Sequence, residues 1–429
     1  MQRSSDRVTH ARNGSVMLVM SAASYRTGAF LEAACSVGLE VIRALDIPES
    51  LHANVGHDVA VDFTDVEKSV DQIVHSAQVR GDVTAVLAID DRGAVIAATA
   101  SARLGLPHND PDSALAARDK FVMRQRLHAA GVPVPVYQNY PAHTEPALIA
   151  ESVPYPCVVK PLLLSGSRGV IRADNPDEFA VAFRRTRSIL EASGMPADEN
   201  DILVERFVVG FEVALEGLLT GGQLETLALF DKPDPLDGPF FEETIYVTPS
   251  RLPDDVQAAI SARTAEAATA IGLRQGPIHA ELRVDLTTGD IWTIELAGRS
   301  IGGLCSSVLE FGAGMSLEEL ILRHAAGMHR TAQRNETNAA GVMMIPIPRS
   351  GMLRAVKGVT EAMQVQNITG IEITAPLNQP IVALPEGSSY LGFIFARSDS
   401  PEKAEHALRT AHSLLEFDIG PVIQLRPVD

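Results

Sequence analysis

Two glutamates, Glu281 and Glu295, are the side chains of this sequence best placed to do chemistry. They lie in a stretch, 276–303, that reads as a β-hairpin turning around Thr287-Thr288-Gly289-Asp290. Counted outward from the turn with the strand period of two, Leu282, Val284, Leu286, Trp292, Ile294 and Leu296 form an apolar face fit for a core. His279, Glu281, Arg283, Asp285, Thr293 and Glu295 form a polar face. With Thr288 at the centre of the turn, Glu281 sits directly across from Glu295. Facing like charges repel by roughly 0.2–1 kcal/mol even when exposed, and more in a cleft. A divalent cation between them turns repulsion into ligation, and hard carboxylate oxygens suit Mg²⁺. Arg299 follows, and then Gly302 and Gly303, where a ligand can approach bare backbone. Metal, arginine and backbone together point to phosphoryl chemistry. Taken alone, the facing acids also fit a solvated hairpin face, since antiparallel sheets readily keep one polar side.

A nucleotide site would have to come from separate pieces. The chain has no GxxxxGK[ST], which excludes a P-loop, and no GxGxxG follows its first expected strand. Lys120 sits in a helical stretch, and Lys160 ends the apolar strand Pro156-Cys-Val-Val-Lys, where its ammonium can meet a phosphate. Either lysine singly also fits a side chain snorkelling at a sheet edge. Ser165-Gly166-Ser167-Arg168-Gly169 is a flexible, donor-rich loop of the kind that covers phosphates. The strand from Ile202 offers Glu205, a backbone edge at Phe207 and Val208, and then Glu212. An adenine needs an apolar slot with backbone partners, and ribose hydroxyls favour a carboxylate. Solvated acids at a strand end are the alternative.

The elements that must position these groups follow from the patterning. Residues 1–110 alternate strands (16–20, 39–43, 83–89) with helices (28–38, 94–104), the signature of a parallel α/β layer. The tetrad Asp90-Asp91-Arg92-Gly93 ends the last of these strands, and the turn-rich 105–111 marks a boundary. A helix is expected over 112–130. Hairpin-type strands then run to about residue 300, with a helix from Asp254, its expected N-cap, to about 271. A helix over 315–327 closes this region. The polar stretch 329–338 reads as a linker, and 341–429 carries short strands, a helix near 401–415 and a final strand.

The chain of 429 residues, 46% hydrophobic and 21% charged, has ample material for a core. A net charge of −18 argues against a broad nucleic-acid or anionic-membrane surface. The N-terminal residues lack an apolar leader and read as a loose tail, and no apolar run reaches the ~18 residues of a membrane span. Cys35, Cys157 and Cys305 lie far apart, which suits a reducing cytoplasm and supports neither zinc nor a disulfide framework.

Taken in order, Arg118-Asp119-Lys120, Val159-Lys160-Pro161, the 165–169 loop, Glu205 to Glu212, His279-Ala280-Glu281 and Glu295 to Gly303 resemble the ATP-grasp superfamily. Ser350-Gly351-Met352-Leu353-Arg354 and the segment from Ser389 to Arg397 resemble the C-terminal domain of L-amino acid ligases, which join carboxylates to amines. The resemblance implies an ATP-grasp fold of mixed α/β and α+β class. It divides the chain into a parallel α/β domain at 1–110, the ATP-grasp domain at 111–330 and an α+β domain at 339–429. It implies an ATP- and Mg²⁺-dependent ligase working through an acyl phosphate. Lys120, Lys160 and the residues Ser165, Gly166, Ser167 and Gly169 would bind phosphates, and Glu205, Phe207, Val208 and Glu212 adenine and ribose. Glu281 and Glu295 would hold the metal. Arg299 and Lys160 would stabilise the transferring phosphoryl group, with Glu243 and His279 as candidates to assist the amine. Glu243, Tyr246, Arg299, Gly302 and Gly303 would contact small carboxylate and amine substrates, and a homodimer is expected. Two positions depart from the family pattern: Tyr246 stands where E-x-x-H has histidine, and Ala297 where E-x-N has asparagine. A biotin-carboxylase-like enzyme and a non-catalytic ATP-binding regulatory subunit are the rival readings.

Overall fold

The computed structural model describes residues 14–22, 24–48, 50–51, 56, 58–195, 200–312, 314–328 and 339–422. The N-terminal tail and the 329–338 linker lie outside them. The first layer is a parallel sheet in the order β3-β2-β1-β4, built from β1 (Ser15–Ser21), β2 (Glu40–Asp46), β3 (Val59–Val61) and β4 (Val83–Ala88). Helices α1 (Thr27–Val37), α2 (Val66–Arg80) and α3 (Ala94–Leu104) connect the strands. Residues 16–20 are all buried, as a strand covered on both faces requires. Helix α2 is absent from the expectation above, although Val70, Ile73 and Ala77 form its buried stripe and Asp65 caps it by accepting from Lys68 N.

The helix expected over 112–130 is two helices, α4 (Pro111–Arg118) and α5 (Lys120–Ala129), broken at Asp119. Asp119 takes extended backbone angles and its carboxylate accepts from Phe121 N and Val122 N, at 2.8 and 3.0 Å. The break starts a helix at Lys120, which fixes that lysine on the first turn. A small antiparallel sheet follows, in the order β5-β8-β6-β7, from β5 (Tyr137–Tyr140), β6 (Cys157–Pro161), β7 (Ile171–Ala173) and β8 (Ile202–Arg206), backed by α6 (Pro176–Ala192).

The largest sheet has eight strands and begins with β9 (Phe211–Thr220), β10 (Gln223–Asp231), β11 (Ile245–Thr248), β12 (Gly276–Val284) and β13 (Ile291–Ala297). Helix α7 (Asp254–Ile271) packs on it; Pro253 occupies its cap position, and Asp254 is its first residue rather than its N-cap. After α8 (Leu317–Ala325), the sheet continues into β14 (Ala339–Ile345), which pairs with β11. Then come β15 (Gly351–Lys357), α9 (Val359–Met363), β16 (Ile368–Ile373), β17 (Gln379–Ile381), β18 (Gly392–Ser398), α10 (Pro401–Ser413) and β19 (Glu416–Gly420). Strands β14, β18 and β16 complete the eight, while β17, β15 and β19 form a separate sheet. One apolar cluster joins Leu18 and Phe30 of the first layer to Phe230 and Tyr246, to Leu317 and Leu320 of α8, and to Val342 and Phe393. Among the described residues no helix is long and apolar enough to cross a membrane.

Candidate active site

A cleft of about 280 Å³ lies between the small antiparallel sheet and the eight-stranded one. Lys120, Lys160, Ser165, Gly166, Ser167, Glu205, Phe207, Val208 and Glu212 line it, together with Glu243, Tyr246, His279, Glu281, Glu295, Arg299, Gly302 and Gly303. Gly169 does not. Its N–H donates to Pro385 O at 2.9 Å, and an added Cβ would meet Pro161 Cγ at 2.9 Å, so it seats the loop on the protein instead.

The hairpin brings Glu281 opposite Glu295, by a route the simple count missed. Asp285 N–H donates to Asp290 O and Gly289 N–H to Asp285 O, so the turn is centred between Thr287 and Thr288. Val284 therefore pairs with Ile291, and Leu282 with Thr293. A β-bulge then inserts one residue at Ile294 and restores the Glu281–Glu295 pair. Its cost to the expected pattern is on β13, where Ile291, Thr293 and Leu296 are buried, while Trp292 and Ile294 are only half-buried and Leu286 is exposed.

Lys160 and Glu205 are bonded to each other in the wall of the cleft. Glu205 also accepts from Arg124 Nε at 2.5 Å, and Arg124 in turn donates to Ile294 O at 2.7 Å. Burial would raise the Glu205 carboxyl, but Arg124 and Lys160 together bring it down to about 2. Burial pushes Lys160 downward, opposed by Glu205. Lys120 donates to Leu164 O at 2.9 Å and lies 3.5 Å from Glu295, tying the start of the 165–169 loop to β13. The residues expected at adenine and ribose line the same cleft and are paired within the protein. The Glu205 carboxylate is a counter-ion, and Glu212 pairs with Lys232 at 2.9 Å and with Arg283 at 2.8 Å. Of the expected backbone edge, Phe207 N–H already donates to Pro156 O, and Val208 O accepts from Arg283.

Lys232 is the group the sequence reading lacked. Its ammonium lies 2.9 Å from Glu212, 2.6 Å from Glu243 and 3.1 Å from Glu281, and 5.0 Å from the centroid of the Tyr246 ring. Lys232-Pro233 repeats, at the end of β10, the strand-ending lysine–proline signal of Lys160-Pro161. Arg124 was legible too, one helical turn after Lys120 on α5. The three acids around Lys232 have ligand atoms within 4.8 Å of one another, so Glu281 clusters with Glu212 and Glu243 as well as facing Glu295. A donor set made only of carboxylate oxygens fits Mg²⁺. One ammonium offsets only part of the charge of three carboxylates, and Glu281 is the acid common to this cluster and to the strand pairing with Glu295.

Burial and then the charge of Glu281 push Glu243 upward, so Glu243 is the member of that pair which takes a proton more readily. His279 sits between two acids, Nδ1 at 2.5 Å from Glu216 and Nε2 at 3.5 Å from Glu281. Burial pulls its pKa down, but these two partners outweigh it and raise it to about 9. A proton held between Glu216 and Glu281 makes His279 a poorer candidate base than Glu243. Arg299 offers its Nε and Nη2 edge to Asp91, both bonds 2.8 Å, and Nη1 to Ser300 O at 3.0 Å. Tyr246 is buried against Phe230, ring centroids 5.8 Å apart.

A model described as the ATP-grasp domain matches residues 153–308, and one described as L-amino acid ligase C-terminal domain 2 matches residues 343–420. The crystal structure of an L-amino acid ligase from Bacillus licheniformis superposes with a TM-score of 0.78 at 25% identity, covering 96% of this chain and 100% of that one. An alanine–anticapsin ligase of Bacillus subtilis (strain 168) is 25% identical over 271 residues, 60% of this chain and 56% of the relative. An uncharacterised protein of Sinorhizobium fredii is 25% identical over 326 residues, 75% of this chain. The matched stretches span 65% and 56% of the length of these two relatives.

Proposed function

We propose that this chain, which carries an ATP-grasp domain and an L-amino acid ligase C-terminal domain, is an ATP- and Mg²⁺-dependent carboxylate–amine ligase that works through an acyl phosphate. One observation carries the reading: two buried lysines, a facing pair of acids and a fork-presenting arginine line a single cleft. A substrate carboxylate oxygen attacks the γ-phosphorus of ATP, and the bond to the β-phosphate oxygen breaks, giving ADP and the acyl phosphate. The amine nitrogen then attacks the acyl carbon, and orthophosphate leaves. Lys120 and Lys160 offset phosphate charge, and Arg299 holds the transferring group. Held by Glu281 and Glu295, Mg²⁺ would supply charge neutralisation of the phosphate oxygens. Glu243, whose carboxyl is pushed upward, accepts the proton released when the amine attacks. Lys232 keeps Glu281 ionised beside it and pairs with Glu212 at 2.9 Å.

The substrates are small acids and amines, and the buried Tyr246 in place of histidine makes the acid subsite less polar. Screening acid–amine pairs for phosphate release, with mass analysis of the product, tests the reading. ADP release that requires an amine supports it. Release that requires bicarbonate would make the enzyme a carboxylase, and nucleotide binding without turnover on any pair would make it a regulator.

A further inference from the structure

The contacts that fix Arg299 come from a different part of the chain. Arg299 lies just after β13, while its partner Asp91 follows β4 of the first layer, 208 positions away. Every residue of the tetrad Asp90-Asp91-Arg92-Gly93 has a task. Asp90 accepts from Ser21 N at 3.1 Å and Gly93 N at 3.4 Å, which pins the turn to β1. Arg92 packs over the Phe63 ring at 5.1 Å. A Cβ at Gly93 would meet Val19 Cγ1 at 2.8 Å, so this close approach of α3 to β1 requires glycine. Asp91 is left to reach across the cleft wall. Arg26 and Tyr25 cross beside it: Arg26 Nη1, anchored on Ile89 O at 2.6 Å, also donates to Ser300 O at 3.4 Å while its Nη2 holds Ser300 Oγ, and Tyr25 OH accepts from Gly303 N at 3.1 Å.

We propose that Asp91 is a positioning residue: by holding the Nε–Nη2 edge of Arg299, it turns the remaining Nη1 and Nη2 N–H groups toward the anion in the cleft. A guanidinium has five N–H donors in one plane. Asp91 takes two and Ser300 O one, so one N–H on Nη1 and one on Nη2 are left to donate to phosphoryl oxygens. The first layer thereby completes a site whose other charges come from the ATP-grasp sheets. This inference rests on the ligase reading above.

The test exploits a conflict of sign. Asp91 is an anion beside an anion site, so removing its charge should tighten phosphate binding if charge alone matters. If it orients the fork, removal should weaken binding. Inorganic phosphate is titrated calorimetrically into the full chain loaded with MgADP. For Asp91→Asn we expect about a tenfold weaker phosphate Kd, about 1.4 kcal/mol, with the Kd for ADP within about twofold. In an Arg299→Lys background the same change should add less than about twofold, because the fork is already gone. Asp91→Glu, which keeps the charge but displaces the carboxylate, should also weaken phosphate and stands in if Asp91→Asn does not fold. Unchanged or tighter phosphate binding in these variants overturns the proposal, as does an equal loss in the Arg299→Lys background. Wild-type protein that binds MgADP but no phosphate refutes the ligase reading at Arg299 itself, a distinct result.

Discussion

Lys232, at the end of β10, touches Glu212, Glu243 and Glu281 within 3.1 Å and is almost wholly buried. Removing one partner of a buried ion cluster leaves uncompensated charge, a loss of about 3–5 kcal/mol. Lys232→Met should therefore lower the urea-unfolding free energy by about that much, and added Mn²⁺ should recover part of it by taking the place of the ammonium. A loss below about 1 kcal/mol would mean that solvent screens the cluster. Glu295 is partnered differently, by Lys120 at 3.5 Å near the mouth of the cleft. Glu295→Gln should leave stability within about 0.5 kcal/mol yet remove Mg²⁺-dependent turnover; near-normal activity would sink the metal assignment.

At the scale of elements, the β12–β13 hairpin does two jobs that conflict. Its inner face must be apolar and its outer face must deliver His279, Glu281 and Glu295 to the cleft, and the bulge at Ile294 reconciles the turn with that alignment. The strand also stores a pH dependence. His279 is raised to about 9, against about 6.5 unfolded. Its contribution is complete below about pH 6.5 and is lost as pH rises through 9. Unfolding free energy should fall across that window by on the order of 3 kcal/mol, and His279→Gln should flatten the slope; an identical slope in the variant would assign the titration elsewhere. Helix α5 depends on its cap. Asp119→Ala should cost about 1 kcal/mol and loosen Lys120, read as a higher KM for ATP.

Across the whole molecule, the described residues form sheets that ignore the order in which the chain supplies them. Strand β14 pairs with β11, and Val342 and Phe393 share a core with Leu18 and Phe30. Ending the chain at residue 328 would strip β11 of its partner and open that core. Such a truncation should lose cooperative thermal unfolding, whereas a sharp transition in it would show that the C-terminal segment is dispensable to the core. The C-terminal segment also reaches the 165–169 loop, since Pro385 O accepts from Gly169 N and Glu386 O from Arg168 Nε at 2.9 Å.

What the sequence determined by itself was whatever short-range physics encodes. The buried run at 16–20 reads as a covered strand, and the alternation at 278–284 as a strand with one polar face, which the fold buries against Glu212 and Glu216. Glu281, Glu295, Lys160 and Arg299 stood out because their types and spacing suit phosphoryl chemistry. Lys232 and Arg124 carried readable signals, the lysine–proline strand end and the helical turn after Lys120. Asp91 carried none toward Arg299, because a pair 208 positions apart leaves no local pattern. Tertiary structure alone decided how the charges share partners. Burial made Glu205 a counter-ion, closed Lys232 among three acids and set His279 between Glu216 and Glu281, since in a low-dielectric interior each charge takes its character from whichever opposite charge the fold brings within hydrogen-bonding reach.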